Sequence, residues 1–342
     1  MWAKQFLRVA ARTAAFSGFV TLLEQLGRER PTLLRVLTYH RVDRPDAHPR
    51  LWPGLISAIP SEFEQQMAFL AANYHVVSME EVLDAIRTRS GLPARSVLIT
   101  FDDAYRDFAQ NAWPIMKQYR LPVTLFVPTA YPDQPTRTYW WDRLHNAVTL
   151  AAGPDKLHTP LGCLSLATAA QRIQSFNSLK DYLKTLPHDG AMAHVDQICE
   201  ASKAPGAGHS VLSWHELREL SREGVTMGAH TQTHPILNCV LPEVAETEIT
   251  GSLSDLHREI GPVPPVFAYP SGGFNDQTIK ILEQAGVFLA VTTLGGVNDL
   301  QCADLFRIRR VNVSTYTTHQ IFRAKLLACT TCLNRWQKMA YR

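Results

Sequence analysis

Apolar runs of four to seven residues alternate along the chain with segments whose apolar positions recur every three or four residues. LLRVLTY (Leu33–Tyr39), SVLITF (Ser96–Phe101), VTLFV (Val123–Val127), VTMGA, VFAY, LAVTT and FRIRRV read as strands, with a shorter one at YHVV. SVLITF shows no polar alternation, which suits a strand buried on both faces. Ser61 with Glu64 and Ser78 with Glu81 have capping-box spacing and predict helix starts, and Ser213 with Glu216 predicts another. Further helices are expected over Trp113–Tyr119, near Val244–Ile260 and after Asn275. Repeated β then α is the pattern of a parallel sheet or barrel. The stretch of about 131–208 breaks this rhythm, showing no clear apolar strand, and is read as a helical insertion. No solenoid-type repeat is present.

Composition narrows the class. The 342 residues allow about two ordinary domains or one large α/β domain with an insertion. With 46% hydrophobic and 19% charged residues the chain is globular, not disordered, collagenous or coiled-coil. A net charge of +3 gives no nucleic-acid footprint, and no nucleic-acid partner is expected. Six scattered cysteines form no disulfide framework, and the Cys329/Cys332 pair lacks the second CxxC of a zinc site. Near the N-terminus, the uncharged stretch Thr13–Leu23 is short of the roughly 20 residues a membrane span needs. Arg8 and Arg12 precede it and Glu24 closes it, so neither a span nor a cleavable signal peptide is expected. Residues 1–32 are predicted as an amphipathic helix in which Lys4, Arg8 and Arg12 repeat at helical spacing. Such a helix packs on the domain or lies at a membrane surface.

Three segments place polar, metal-competent groups just after an apolar strand, where α/β folds build their sites. The first ends in Asp102 and Asp103. Composition alone predicts roughly 0.75 adjacent Asp pairs, but two carboxylates ending a buried strand are costly unless they bind a cation or carry a proton. The second, VTMGAHTQTHP, carries His230 and His234, which share one face if His230 begins a helical turn; a hydrogen-bonded structural pair is the alternative. In the third, VFAYPSGGFND, Pro270, Ser271, Gly272 and Gly273 make a tight turn whose backbone N–H groups are free to hold an oxyanion, unless it is a plain connection. His40, just past the first strand, is a fourth candidate, although a lone histidine is usually structural.

FDD, HTQTH and AYPSGG, in this order, resemble the NodB-like polysaccharide deacetylases of carbohydrate esterase family 4. LTYHRV and the AYPSG form of the third motif are similar to the exopolysaccharide branch, which includes poly-N-acetylglucosamine deacetylases. The resemblance implies a distorted (β/α) barrel of about seven parallel strands over residues 33–342, carrying the insertion. It implies a metal-dependent hydrolase that removes N-acetyl groups from amino sugars of a surface polysaccharide or its precursor. Asp103, His230 and His234 become ligands of a divalent metal, zinc with cobalt or nickel as alternatives. Asp102 becomes the general base, His40 the acid that protonates the leaving amine, and the turn at Pro270, Ser271 and Gly272 the oxyanion site. Two imidazoles and one carboxylate leave the open positions a catalytic metal needs.

Departures from the family pattern redirect some roles. Ala268 stands where many members carry a base-orienting arginine, and Ser271 where many carry tyrosine; His319 lacks the usual leucine-histidine context. These substitutions favour His40 as acid and require another arginine, Arg307, Arg309 or Arg310, to orient the base. Trp140, Trp141 and Asp142 offer a sugar-stacking wall, with core or lid packing as the alternative. The expected partner is an N-acetylated oligo- or polysaccharide, with a lipid-linked form and peripheral membrane contact through the N-terminal helix as refinements. The expected compartment is the cytoplasm or the cytoplasmic face of the inner membrane. An O-acetyl esterase, a deformylase acting on a lipid-linked sugar, and an inactive carbohydrate-binding protein are the alternatives.

Overall fold

The computed structural model describes residues 13–26, 30–134, 136–150, 155–203, 208 and 210–327. Seven strands, β1 (Leu33–Tyr39), β2 (Ser96–Phe101), β3 (Thr124–Val127), β4 (Thr226–Ala229), β5 (Val266–Ala268), β6 (Leu289–Gly295) and β7 (Ile308–Asn312), pair in chain order. Because β1 pairs with both β2 and β7, the parallel ring closes into a barrel. The β1–β2 seam is the longest, running in register from Leu34 opposite Ser96 to Tyr39 opposite Phe101. Closure removes the sheet edges that an open arrangement would expose. The YHVV segment contributes only the two-residue strand His75–Val76 beside β2.

Period-two alternation sorts each strand into two faces. Val36, Leu98, Phe126, Val266, Val291 and Ile308 fill the barrel interior together with residues of α3. Leu37, Tyr39, Ile99, Phe101, Leu125, Met227 and Phe267 face the surrounding helices. Continuing the inward phase along β1, β2, β4 and β7 leads to His40, Asp102, His230 and Arg310.

The outer helices are α1 (Ala14–Leu26), α2 (Pro60–Asn73), α3 (Met79–Thr88), α4 (Trp113–Tyr119), α5 (Trp140–His145), α6 (Ala169–Leu183), α7 (His188–Ser202), α8 (Trp214–Arg222), α9 (Pro242–Glu259), α10 (Asp276–Gln284) and α11 (His319–Lys325). The boxes at Ser78/Glu81 and Ser213/Glu216 form as spaced. The Ser61 box does not: Pro60 opens α2 with its φ already helical, leaving Ser61 inside the first turn and Ile59 at the cap. In the insertion, α5, α6 and α7 are joined by an antiparallel hairpin, Lys156–Thr159 with Gly162–Ser165, which the sequence did not signal because its residues are mostly exposed and polar.

At the N-terminal end, Arg323 of α11 holds α1 through Glu24 and Thr21, while Val20 is buried. Of the segment 1–32, in which a helix is expected, the described residues form the helix Ala14–Leu26; Lys4, Arg8 and Arg12 lie outside the described residues, as do Cys329 and Cys332. Among the described residues no helix is long and apolar enough to cross a membrane.

Gly228 of β4 makes the interior packing possible. A Cβ there would lie 2.6 Å from the Phe126 ring and 3.1 Å from Val266 Cγ2. Gly228→Ala is therefore expected to lower unfolding free energy by about 1–3 kcal/mol in urea denaturation, the usual cost of overpacking.

Candidate active site

His40, Asp102, Asp103, His230, His234 and Arg310 gather where the barrel strands end. Asp102 leaves β2 with its N–H donating to Tyr39 O at 3.0 Å. Its carboxylate accepts two parallel bonds from Arg310, Nη1 to Oδ1 at 2.8 Å and Nη2 to Oδ2 at 2.7 Å. Arg310 is itself fully buried and anchored by Nε to Thr292 O at 2.7 Å. Burial opposes ionisation of Asp102, but the Arg310 guanidinium more than offsets it, and the carboxyl lies below its ordinary range. His40 Nε2 stands 3.9 Å from Asp102 Oδ2, with the ring 28% exposed and the His40 N–H donating to Ser57 Oγ.

Asp103 turns the other way. Left-handed φ angles at Asp103 (72°) and Ala104 (48°) reverse the chain, and Tyr139 OH donates to Asp103 O at 2.6 Å. Asp103 Oδ1 then faces His230 Nε2 at 3.4 Å and His234 Nε2 at 3.3 Å. His230 Nδ1 donates to Ala268 O at 2.7 Å, which directs the Nε2 lone pair at Asp103 when the ring is neutral.

The two histidines do not share a helical face as the spacing suggested. The segment between them is a loop with left-handed Thr231 (φ 64°), and His234 itself is left-handed (φ 62°). Thr231 Oγ1 accepts the His234 N–H at 3.0 Å, folding the second imidazole back beside the first.

The electrostatics of the three groups differ. Burial raises the Asp103 carboxyl, yet the flanking imidazoles hold it far below the usual carboxylate range. Burial likewise lowers His230, but the Asp103 and Asp102 carboxylates and the Ala268 carbonyl leave it raised overall. His234 stays lowered, because burial there outweighs the attraction of Asp103. Among the described residues Asp103 Oδ1 is buried without a hydrogen-bond partner, and one potential ligand atom from each residue lies within 4.8 Å of the others. An orphaned carboxylate oxygen between two imidazole nitrogens is the donor set that suits a divalent cation, so these residues fit one.

The remaining candidates are placed unevenly. Pro270–Gly272 forms one 3₁₀ turn, with Ser271 at φ 53° and Gly272 at φ 73°. Gly272 has no room for a side chain, since a Cβ would lie 2.0 Å from Thr293 Oγ1. The Gly272 and Gly273 amides donate within the turn, to Tyr269 O and Pro270 O, so among the described residues the exposed Ser271 amide is the one left without a backbone acceptor. Trp141 does not present a free stacking face. It is buried, stacked 4.5 Å from Tyr139 and edge-on to His234 at 4.9 Å, so it packs a site histidine in place. Trp140 is buried against it.

Arg307 and Arg309 do not reach the base. Arg307 pairs with Asp276 and Asp304 at the surface, and Arg309 donates to Gly295 O. Both have the odd phase of β7, which turns them away from the interior where Arg310 meets Asp102. His319 opens α11 edge-on to Phe69 and takes no part in the cluster.

Two further groups sit in places that the sequence did not assign to them. Asp142 accepts from Trp52 N and Tyr105 OH, and burial pushes its carboxyl up to about 7; Trp141 Nε1 donates to the same tyrosine. Glu248 of α9 accepts from the loop between the histidines.

Comparison with known proteins finds a family match over more than half of the chain. Residues 89–290 match the family described as polysaccharide deacetylase. The protein YxkH of Bacillus subtilis (strain 168) is 22% identical over 288 residues, 84% of this chain and 73% of its own length. The poly-beta-1,6-N-acetyl-D-glucosamine N-deacetylase of Escherichia coli (strain K12) is 29% identical over 100 residues, 29% of this chain and 14% of that one. The solved structure of Streptococcus pyogenes deacetylase PplD in complex with acetate superposes with a TM-score of 0.59 at 21% identity, covering 87% of this chain and 99% of that one. At that identity the likeness is one of fold.

The Asp102–Arg310 pair is buried on both sides, so removing the cation strands a carboxylate in the core. Arg310→Met is expected to reduce unfolding free energy by about 3–5 kcal/mol. Urea denaturation of the variant beside the Asp102→Asn/Arg310→Met double variant checks this: the double should recover part of the loss.

Proposed function

This chain belongs to the polysaccharide deacetylase family, and we propose that it removes N-acetyl groups from amino sugars of a surface polysaccharide or its precursor. The observation that carries this reading is the juxtaposition of an orphaned Asp103 oxygen between two imidazoles with an Arg310-clamped Asp102 next to it in the chain. The glucosamine substrate class is supported by the partial match to the E. coli poly-beta-1,6-N-acetyl-D-glucosamine N-deacetylase.

Asp103, His230 and His234 would hold a divalent cation, zinc or alternatively cobalt or nickel. When bound there it would polarise the acyl carbonyl and make a water more acidic. Asp102 accepts the proton of the attacking water; it is kept ionised by Arg310, which fixes both of its oxygens in one plane. The Ser271 N–H is the donor offered to the developing oxyanion, in a turn whose left-handed backbone is already set before substrate arrives. His40 protonates the departing amine as the C–N bond breaks, and its partial exposure lets solvent restore the proton. Trp141 and Tyr139 exclude water behind His234 and Asp103.

The N-terminal segment supports a peripheral membrane contact, and with it a lipid-linked substrate. Residues 1–30 hold five basic and two acidic side chains, the whole of the chain's net charge of +3. Phe19 and Leu22 of α1 are 58% and 50% exposed. Cosedimentation with vesicles containing anionic lipid should retain the wild-type protein and release Phe19→Ser/Leu22→Ser, most clearly at low salt; equal retention of both rejects the contact.

The activity is tested by incubating N-acetylated glucosamine oligomers with protein and zinc, cobalt or nickel while assaying amine and acetate separately. Equal amounts of both are expected, whereas acetate without amine indicates an esterase. Asp103→Ala should abolish metal uptake, and Asp102→Asn should keep the metal and lose turnover. His40→Ala should lower kcat by about 10²–10⁴, the range for a general acid. Full metal occupancy in Asp103→Ala overturns the assignment.

A further inference from the structure

The loop that carries His234 is strained and needs external support. Thr231 and His234 both have left-handed backbone, a conformation that non-glycine residues hold only where their surroundings enforce it. Much of the support comes from one face of α9, outside the barrel. The buried Glu248 accepts three hydrogen bonds from the loop: Oε2 from the Gln232 and Thr233 N–H groups, each at 2.8 Å, and Oε1 from Thr233 Oγ1. One helical turn on, Gly251 makes room for the Gln232 side chain, since a Cβ there would lie 2.4 Å from Gln232 Cδ. At the next turn, Asp255 Oδ2 accepts from Gln232 Nε2 at 2.8 Å and from Thr129 Oγ1 at 2.7 Å. Thr129 in turn follows β3, and its N–H donates to Thr231 O at 3.0 Å. Positions 248, 251 and 255 follow the i, i+3, i+7 spacing that places residues on one helix face.

We propose that Glu248, Gly251 and Asp255 form a positioning cradle that sets the affinity and geometry of the cation centre by holding the loop that carries His234. This rests on reading Asp103, His230 and His234 as that centre. None of the three residues is a ligand. They act through Gln232 and Thr233, whose backbone is pinned between two histidines that must point at one spot. Hydrogen bonds to an ionised carboxylate are stronger than those between neutral groups, and three of them from Glu248 offset the strain of the two left-handed residues.

The test measures metal binding directly. Zinc affinity of the metal-free full chain is determined by chelator competition, and the visible spectrum of the cobalt-loaded protein reports ligand geometry. Glu248→Gln is expected to weaken zinc by about 10–100-fold, the usual effect of losing an outer partner of a ligand, and to alter the cobalt bands. Asp255→Asn should shift both in the same direction by less. Glu246→Gln removes the same charge from the exposed side of α9 and should change neither. Should Glu248→Gln not fold, Asp255→Asn and Gly251→Ala carry the same readouts. Wild-type affinity and spectrum in the folded cradle variants overturn the proposal, even if their thermal stability falls. Failure of the wild-type protein to take up any divalent metal instead overturns the reading of the centre, and the cradle with it.

Discussion

Two adjacent carboxylates are held out of water at the end of one barrel strand, and the surrounding architecture is organised around that cost. Burying one unpaired carboxylate is prohibitive, and Asp102 and Asp103 are both almost fully buried. The chain resolves the conflict by sending the two in opposite directions. Asp102 continues the inward phase of β2 and meets Arg310, which is itself fully buried. Asp103 is swung out by a left-handed turn towards two imidazoles. One carboxylate is neutralised by Arg310, and the other is left with an oxygen that faces two imidazoles and has no hydrogen-bond partner among the described residues.

That division explains why backbone strain concentrates here. Among the described residues, five of the ten left-handed non-glycine positions, Asp103, Ala104, Thr231, His234 and Ser271, fall within the three segments that end β2, β4 and β5. Strands deliver their last residues in fixed directions, so groups that must converge from three strand ends need a reversal in each connection. The reversals persist because each is overdetermined. Tyr139 holds the Asp103 carbonyl, Glu248 and Asp255 hold the histidine loop, and the close approach of Thr293 fixes the glycine turn.

The insertion between β3 and β4 belongs to the same design. Its first helix, α5, places Trp141 against His234, and Tyr139 just before it against Asp103. A buried aromatic layer next to the imidazoles keeps water from solvating them and raises the worth of every charge interaction in the site. Tyr139 and Trp141 therefore line the cluster from behind, against Asp103 and His234.

The strand–helix rhythm, the insertion and the three motif segments are legible in the amino-acid sequence, because apolar runs, capping boxes and Gly-Pro turns are local signals read from neighbours in the chain. So is the candidate set Asp102, Asp103, His230 and His234, since those residue types at strand ends have few stable uses. What the sequence could not decide was partnership across the barrel. Arg307, Arg309 and Arg310 look alike in FRIRRV, and only the phase of β7 relative to β2 selects Arg310, because alternation turns one of them inward and two outward. The geometry of HTQTH was equally out of reach: four-residue spacing suggests a helical turn, but hydrogen bonds to Glu248 of α9, 15 and 16 residues further along, hold it as a strained loop. Local pattern determined which residues were available, and closure of the barrel determined which of them meet, since a buried charge can be satisfied only by a group that the whole fold brings to it.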